Sequence, residues 1–521
     1  METPQEKNDI NSSKNEVIEA EFESQEAYYV PKTQMKNVWY VLMVGMGQIA
    51  GGAANGVIAT TLAQLTFVSK MSLDGPNALS LMGGTNGSFY AGGFVGVFFA
   101  AWSCDTLGRR KCMWLTGLLN IISCILCAAS VNIGMFIAVR PTDIFGAYGF
   151  IAGFAACQYV MQTPLYQSEI APPHLRGLLV GTFGIFNVLG YNIANWSGAG
   201  FYHLKNSNIA WRMIFVIVGG LSIVHMILIY FCPESPRWLV MKNRMTEAEE
   251  VIRLIHGDSG NDTFVRLETL QIERQVATER EYNVSYYQMF ADKRWRRRTL
   301  LCCLIGTVGQ STGVLVINNY GPYFYALLGM TTEQQLYLAG GYVALSMTVA
   351  IIGAFGIDKL GRINLMTWGI AGQVVMLCIE TAIVARYSGT SNRSANIAGI
   401  WAFFMYCFVY GLTWDCTPYV YVAEIMPSHL RAKGVTLSIG CLYLSVCALI
   451  TGALYAFGDI GWKYFLVFIC AGPVGIALIW FYAPETKGKT LEEIGGLFGD
   501  DLAIPELHAT DESHLAQKRA A

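Results

Sequence analysis

Long apolar stretches alternate with short charged segments along almost the whole chain. We count twelve apolar runs, each close to the roughly 20 residues that a helix needs to cross a bilayer. A polar stretch at 232–298 separates the first six runs from the last six. The pattern predicts an all-α membrane protein of twelve transmembrane helices in two six-helix halves. The runs lie near 38–62, 87–104, 112–133, 144–165, 178–199, 213–231, 299–328, 336–357, 364–385, 398–423, 435–457 and 463–483.

The polar segments divide the chain into five parts. Residues 37–231 and 299–483 are the predicted six-helix bundles, and 232–298 is a predicted cytosolic linker with short helices. Residues 1–36 are rich in Glu, Asn and Ser, so we expect a disordered cytosolic tail there. Residues 484–521 form the second expected cytosolic tail.

Composition supports a membrane location. The chain is 53% hydrophobic and 14% charged, whereas soluble domains carry roughly 25% charged residues. The formal net charge of −2 gives no indication of a nucleic-acid partner. The lipid bilayer is therefore the first predicted partner, and the sequence is compatible with a monomer.

Basic residues indicate the orientation. Arg109, Arg176, Arg362 and Arg431 all fall on one side of the membrane if the helices alternate, as does the basic run 293–298. Because positive charge stays on the cytosolic side, both termini are predicted to be cytosolic, in a multi-pass protein of the plasma membrane. The sequon at Asn392 would then face outward, where it is either glycosylated or unused.

One segment occurs twice. Tyr166 to Arg176 recurs as Tyr421 to Arg431, with Tyr, Glu, Ile, Pro, His, Leu and Arg matching 255 positions apart. The sequences beginning at Asp105 and Pro233 recur at nearly the same offset. The chain is thus a duplicated module, and two similar halves around one central cavity suit transport.

The repeated motifs place acidic and basic residues at the predicted cytosolic helix ends. One exposed ion pair contributes about 0–1 kcal/mol, so several together would hold a conformation and still release it. We expect a cytosolic gate, since ordinary charged loops would not repeat at a constant offset. The predicted gate residues are Asp105, Arg109, Glu169, Arg176, Glu234, Arg237, Asp358, Arg362, Glu424, Arg431 and Glu485.

These motifs resemble those of the sugar porter family of the major facilitator superfamily, and fungal sugar transporters of the hexose and lactose-permease type most closely. They include Asp105-x-x-Gly-Arg-Arg, Pro233-Glu-Ser-Pro-Arg and Pro484-Glu-Thr-Lys-Gly, and their order covers residues 38 to about 498. The resemblance implies the major facilitator fold, a rocking motion and a carbohydrate-like substrate. It implies no cofactor, no metal and no catalytic residue.

The predicted substrate site departs from the family pattern. In run 7, Gln310 and Tyr320 match the pattern and Asn319 replaces a Tyr, while the usual Trp of run 10 falls on Tyr419. Asn187 lies one turn from Gly184, where the family has Gln. Amides and rings suit a sugar, because amides donate to and accept from hydroxyls while rings stack on its face, and we take these residues as candidate substrate-binding groups. Each is alternatively a packing contact between helices.

Two further family positions have lost their charge. Proton-coupled relatives pair an acidic residue in run 1 with an Arg in run 4, and these fall on Ala54 and Gly149 here. A single remaining charge would cost about 2.5–3.5 kcal/mol in the membrane. The joint loss predicts that coupling through this pair is absent.

Asp415 is a charge that the family pattern does not predict. It lies nine residues before Glu424, roughly 13–14 Å along a helix and close to the midplane of a ~30 Å core. We consider it a candidate for proton coupling or for contact with a cationic or polyhydroxyl substrate. The alternative is a structural Asp bonded to Thr413 or to another helix. Glu380, in contrast, is expected to pair with Arg386.

The combined prediction is a transporter of a sugar or sugar-like polyol, facilitated or proton-coupled. An exporter of a specialised metabolite is the alternative, because the lost amides make the site more apolar. A non-transporting nutrient sensor is disfavoured by the short C-terminal tail. We do not expect an enzyme, since no nucleophile–base set, metal cluster or phosphate loop stands out in the sequence.

Overall fold

The protein is described by a computed structural model. It covers residues 35–498 apart from 74, 76–77, 137–147, 173–174, 205–207, 257–261, 282–283, 355–359, 388–389, 391, 428 and 490. The predicted N-terminal tail therefore lies almost wholly outside the described residues, as does most of the C-terminal tail.

The described residues form twelve membrane-crossing segments, here called spans 1 to 12. In the first half, these are Met35–Leu62, Ala78–Leu107, Arg109–Ala129, Tyr148–Ala156 with Gln158–Ile170, Arg176–Tyr202 and Ile209–Tyr230. In the second half, they are Lys293–Ser311 with Val314–Leu327, Thr332–Ala354, Arg362–Tyr387, Arg393–Thr413 with Thr417–Ile425, Arg431–Ile460 and Phe465–Tyr482. Spans 4, 7 and 10 each consist of two helical pieces.

Ten helical stretches are long and apolar enough to cross a membrane. Span 4 is not among them, and spans 11 and 12 count there as one stretch of 52 residues. The twelve-helix arrangement predicted from hydropathy is confirmed.

Helix ends differ from the apolar runs where polar residues extend a helix. Span 7 begins at Lys293, six residues before the apolar run at 299, because the Asp292 side chain accepts a hydrogen bond from the Arg294 N–H and caps a basic first turn. Before it, the described part of the linker contains four helices of 6 to 20 residues. These are Pro236–Met241, Met245–His256, Asp262–Glu281 and Tyr286–Ala291.

Glycines allow the spans of the first half to pack at short distance. A Cβ on Gly153 of span 4 would lie 1.8 Å from the Phe89 carbonyl oxygen of span 2. A Cβ on Gly52 of span 1 would lie 2.1 Å from the Asn187 carbonyl oxygen of span 5. Small residues are needed at such crossings, since membrane helices associate largely through close packing.

The two halves meet mainly along three pairs of spans. Spans 2 and 11, spans 5 and 8, and spans 1 and 7 pack against each other across the interface. The end of the bundle that carries the repeated Arg and Glu motifs is called the charged end below. The central cavity lies between this end and the opposite end.

Candidate functional site

The charged motifs of the first half form one cluster at the charged end. The buried Arg109 side chain is held by Glu169 through two hydrogen bonds, Nε to Oε2 and Nη2 to Oε1, both 2.8 Å long. It also donates to the Cys104 carbonyl at 3.0 Å and to Asp105 Oδ1 at 3.2 Å. The Glu234 carboxylate accepts from the backbone N–H of Arg109 at 2.9 Å. Spans 2, 3, 4 and 6 are thereby tied together.

The second half repeats this cluster. Arg362 donates to Glu424 at 2.8 Å, and Glu485 accepts from the Arg362 N–H at 3.0 Å. The glycine before each Arg has a positive φ, 96° at Gly108 and 90° at Gly361. That backbone conformation favours glycine, which explains the conserved turn in both copies of the repeat.

The two equivalent glutamates differ electrostatically. Burial raises the pKa of Glu234, although backbone N–H groups of Ser235, Arg110 and Arg109 favour its ionised form. At Glu485 burial acts in the same direction, but four backbone hydrogen bonds outweigh it and lower the pKa. The charged state is therefore better stabilised in the second half.

The ion pairs described above join spans of the same half. Other charges face each other between the halves at this end, because Lys433 is attracted to Asp105, whereas Arg431 and Arg237 repel each other. Asp358 and the side chain of Arg176 lie outside the described residues. The geometry shows a clamp within each half, and its action as a gate between the halves stays a prediction.

A cavity of about 980 Å³, partly open to solvent, lies between the two halves at mid-depth. It is bordered by spans 1, 2, 4 and 5 of the first half and by spans 7, 8, 10 and 11 of the second. Polar side chains from both halves reach it. They are Asn55, Tyr90, Asn187, Tyr191, Gln310, Asn318, Tyr342, Ser346, Tyr410, Asp415, Tyr419 and Tyr443.

Four of the six predicted substrate-binding residues line this cavity: Gln310, Asn187, Asp415 and Tyr419. The other two lie behind its wall. The Asn319 amide donates to the Tyr90 hydroxyl at 2.9 Å, and the Tyr320 hydroxyl donates to the Ile450 carbonyl at 3.1 Å. The Asn319 bond therefore joins the two halves, whereas the Tyr320 bond joins spans 7 and 11 within the second half. The neighbouring Asn318 reaches the cavity.

Two cavity amides have polar groups left for a ligand. Asn187 Oδ1 accepts a hydrogen bond from Gln48 Nε2 at 3.0 Å. This bond orients the Asn187 amide and does not involve its nitrogen. Gln310 lies within hydrogen-bonding reach of the Tyr410 hydroxyl. Its Oε1 is buried without a hydrogen-bond donor.

Asp415 lies in the break of span 10, between the helices that end at Thr413 and begin at Thr417. The Trp414 indole anchors this break by donating to the Met366 carbonyl at 2.8 Å. Thr413 Oγ1 donates to the Val409 carbonyl rather than to Asp415. The bond to Thr413 that was considered for Asp415 is therefore not observed, and no hydrogen bond from Asp415 to another helix is found among the described residues. The side chain faces the cavity.

The tyrosine lining is the main feature that the sequence did not reveal. Tyr90, Tyr191, Tyr342 and Tyr410 all face the cavity. A tyrosine in an apolar run is equally compatible with packing between helices. The sequence offered one indication of a cavity-facing role, namely that a buried hydroxyl requires a partner. On the charged side of the cavity, Phe183 meets Tyr419 edge to face, with ring centroids 5.8 Å apart.

The positions of the lost coupling pair meet in a second, smaller void. Ala54 and Gly149 both line an apolar pocket of about 340 Å³ within the first half. Asn120 supplies an amide and Ser123 a hydroxyl there, and none of the lining residues that the structure describes is Asp, Glu, Lys, Arg or His. The two positions are thus neighbours, as the pairing implies, and both lack charge.

The prediction that Glu380 pairs with Arg386 is wrong. Both carboxylate oxygens of Glu380 are buried without a hydrogen-bond partner, and its side chain is 1% exposed. Glu380 points into the second half rather than along the helix toward Arg386. Burial raises the free energy of its charged form, since no partner offsets the loss of water.

Contacts between the halves close the opposite end of the cavity. His203 Nε2 and the Tyr337 hydroxyl are 2.9 Å apart, and Asn192 Nδ2 donates to the Val343 carbonyl at 3.2 Å. Toward the charged end, a Cβ on Gly177 or Gly181 of span 5 would meet open space. Two bundles around a mid-depth cavity that is closed at one end define a membrane transporter of the major facilitator fold.

Comparison with known proteins gives the family. The chain matches the model of the family "Sugar (and other) transporter" over residues 40–498 and belongs to that family. It is 28% identical to the MFS-type transporter criB of Aspergillus cristatus, over 89% of this chain and 95% of that protein. It is 27% identical to a high-affinity glucose transporter of Kluyveromyces lactis, over 89% and 86% of the two chains.

A solved structure shows the same fold. The xylose transporter XylE from E. coli, in a partially occluded inward-open conformation, superposes with a TM-score of 0.71. The alignment covers 88% of this chain and 100% of XylE at 20% sequence identity. The predicted fold class and family resemblance are confirmed.

Proposed function

We propose that this protein carries a sugar or sugar-like polyol across a membrane by alternating access. The observation that carries the proposal is the mid-depth cavity, in which amides and phenols of both halves converge. A polyol offers several hydroxyls that donate and accept, and rings such as those of Tyr410 and Tyr419 provide faces for its carbon skeleton. The relatives named for glucose and xylose transport support the same substrate class.

The charged end supplies a mechanism for switching between conformations. Each half moves as a unit because its own Arg–Glu cluster ties its spans together, four in the first half and at least three in the second. The halves then rock about the cavity, and the contacts between them break and form at alternate ends. We place the charged end and both termini on the cytosolic side of the plasma membrane, since the basic residues gather there. Asn392 would then face outward, and its glycosylation stays a prediction.

Transport without proton coupling is the favoured mode. The neutral Ala54 and Gly149 remove the pair that links proton and sugar movement in coupled members of the family. Asp415 is the remaining candidate for coupling, because it is the acidic group that faces the cavity among the described residues.

Uptake of labelled sugars, in cells that lack their own sugar carriers, tests the proposal. We expect uptake of at least one sugar or polyol that survives a protonophore. Uptake that collapses with the protonophore would indicate coupling through another group. No uptake of any sugar, with the protein shown at the cell surface, would refute the proposal and favour export of a metabolite.

A matched pair of variants tests whether the cavity is the site. Gln310→Ala should lower uptake roughly tenfold to a hundredfold, because a hydrogen bond to a buried group is lost. Gln334→Ala, which alters an exposed residue at the end of the bundle, should leave uptake unchanged. Equal uptake by the two variants would place the substrate elsewhere.

A further inference from the structure

The cavity has an unbalanced charge. Among its lining residues in the part of the chain that the structure describes, Asp415 is the one side chain that is charged at neutral pH. Lys, Arg and His do not occur in that lining set. The cavity wall therefore offers a negative charge and no positive one to a ligand.

The Asp415 carboxylate also has no partner within the described residues, either as a hydrogen bond or as an ion pair. The neighbouring Thr413 hydroxyl does not supply a donor, since it donates to the Val409 carbonyl. A carboxylate at the middle of a membrane is costly unless a cation or a donor matches it. A cationic group that enters the cavity would supply that match.

The backbone beside Asp415 is rich in acceptors. Pro418 has no N–H group, so the Trp414 carbonyl four residues earlier has no helical donor. The helix Arg393–Thr413 ends just before Asp415, and the last carbonyls of a helix lack intrahelical partners. An ammonium group has three donors and no acceptor, and it fits a carboxylate beside free carbonyls better than a neutral hydroxyl does.

Aromatic rings complete the surroundings of this group. Tyr410 and Tyr419 both interact electrostatically with Asp415. Phe183 of the first half contacts Tyr419 across the cavity. Ring faces attract a cation, and a carboxylate among aromatic rings is a favourable setting for an organic ammonium group. The equivalent position of the first half holds Val160, which also lines the cavity, so the charge lies on one side only.

From these observations we infer that the substrate carries a cationic amine that pairs with Asp415, and that amine-bearing sugars or polyols are preferred over neutral ones. This inference rests on the proposed function, because it names the substrate class of the same cavity. The hydroxyl groups of such a substrate would reach Asn187 and Gln310, and its amine would reach the break in span 10.

Competition at the purified full-length protein in lipid nanodiscs tests the inference. The probes are glucose, its 2-amino and 6-amino derivatives, and the N-acetyl forms of both, which have the same skeleton without the charge. We expect at least one amine to bind roughly tenfold or more tightly than glucose and than its own N-acetyl form, as is typical of a hydrogen bond to a charged group.

Variants of Asp415 test whether this residue causes the preference for amines. Asp415→Asn should reduce the ratio of amine to glucose affinity to near one, and Asp415→Glu should restore part of it. Asp459→Asn makes the same chemical change at an exposed position of span 11 and should leave the ratio as in the wild type. A ratio unaffected by Asp415→Asn would overturn the inference.

The outcomes separate this inference from the proposed function. Binding of glucose and not of either amine would refute the cationic substrate and leave sugar transport standing. A glucose uptake that needs a proton gradient, and loses that need in Asp415→Asn without any preference for amines, would assign Asp415 to proton coupling and overturn the inference. Binding of none of the five probes would count against both.

Discussion

Replacing Arg109 with Ala would remove the centre of the first charged cluster. The guanidinium joins spans 3 and 4 through two hydrogen bonds of 2.8 Å to Glu169. The exposed fractions are 4% for Arg109 and 5% for the Glu169 side chain, so water has little access to either group. After the substitution the Glu169 carboxylate would be buried with no cation beside it.

The size of the effect follows from this burial. Removing one partner of a buried ion pair costs about 3–5 kcal/mol, because the other charge is left unpaired. The equivalent pair in the second half is more exposed, at 10% for Arg362 and 22% for Glu424. Glu424 would also keep a hydrogen bond of 2.6 Å from Thr486. We therefore expect Arg362→Ala to lower the free energy of unfolding by only about 1–3 kcal/mol.

Thermal unfolding of the purified variants, followed by tryptophan fluorescence, measures the difference. Arg109→Ala should melt well below Arg362→Ala, and both should melt below the wild type. The double variant Arg109→Ala with Glu169→Ala should recover part of the loss, since no unpaired charge remains. Equal melting temperatures for the two single variants, or no recovery in the double variant, would refute the burial argument.

Two further predictions concern packing and pH. Gly153→Ala should strongly reduce the yield of folded protein, because its Cβ would lie 1.8 Å from the Phe89 carbonyl oxygen. Gly220→Ala is the control and should express like the wild type, because a Cβ there meets open space. Similar yields of the two variants would contradict the close crossing of spans 2 and 4. Glu485→Gln should destabilise the protein more at pH 8 than at pH 4, because a lowered pKa contributes stability above the unfolded value of about 4.3 that is lost as the pH falls. Glu234→Gln should show the opposite trend, because burial raises the pKa of Glu234 and its contribution to stability is lost as the pH rises. Melting curves of both variants at pH 4 and pH 8 measure these trends.

Hydropathy along the chain was sufficient to predict the twelve spans and the two halves. Crossing a bilayer is a property of one segment and its length, so it can be read without knowing the neighbours. Helix ends were less certain, as the start of span 7 at Lys293 shows, because a cap such as Asp292 extends a helix beyond its apolar part. The repeat also indicated correctly that the Arg and Glu motifs belong to equivalent clusters.

Which charges meet was decided by the tertiary structure. The sequence grouped the motif residues into one gate, but Arg109 pairs with Glu169 and Arg362 with Glu424 inside their own halves. Contacts between residues 60 positions apart depend on how four helices pack, and spacing along the chain does not contain that information. The unpartnered Glu380 shows the same limit, because the direction of its side chain follows from the packing of the second half.

The cavity lining shows most clearly what the sequence predicts and what only the tertiary structure decides. Residue type and depth indicated Gln310 and Asp415, and both face the cavity. Asn318 and Asn319 are adjacent, yet only the first reaches the cavity, while the second bonds to Tyr90. Neighbouring residues of a helix with 3.6 residues per turn point about 100° apart. The sequence therefore determined which segments cross the membrane and at what depth each polar group lies, whereas the rotation of each helix against its neighbours, set by packing, decided which of those groups a substrate can touch.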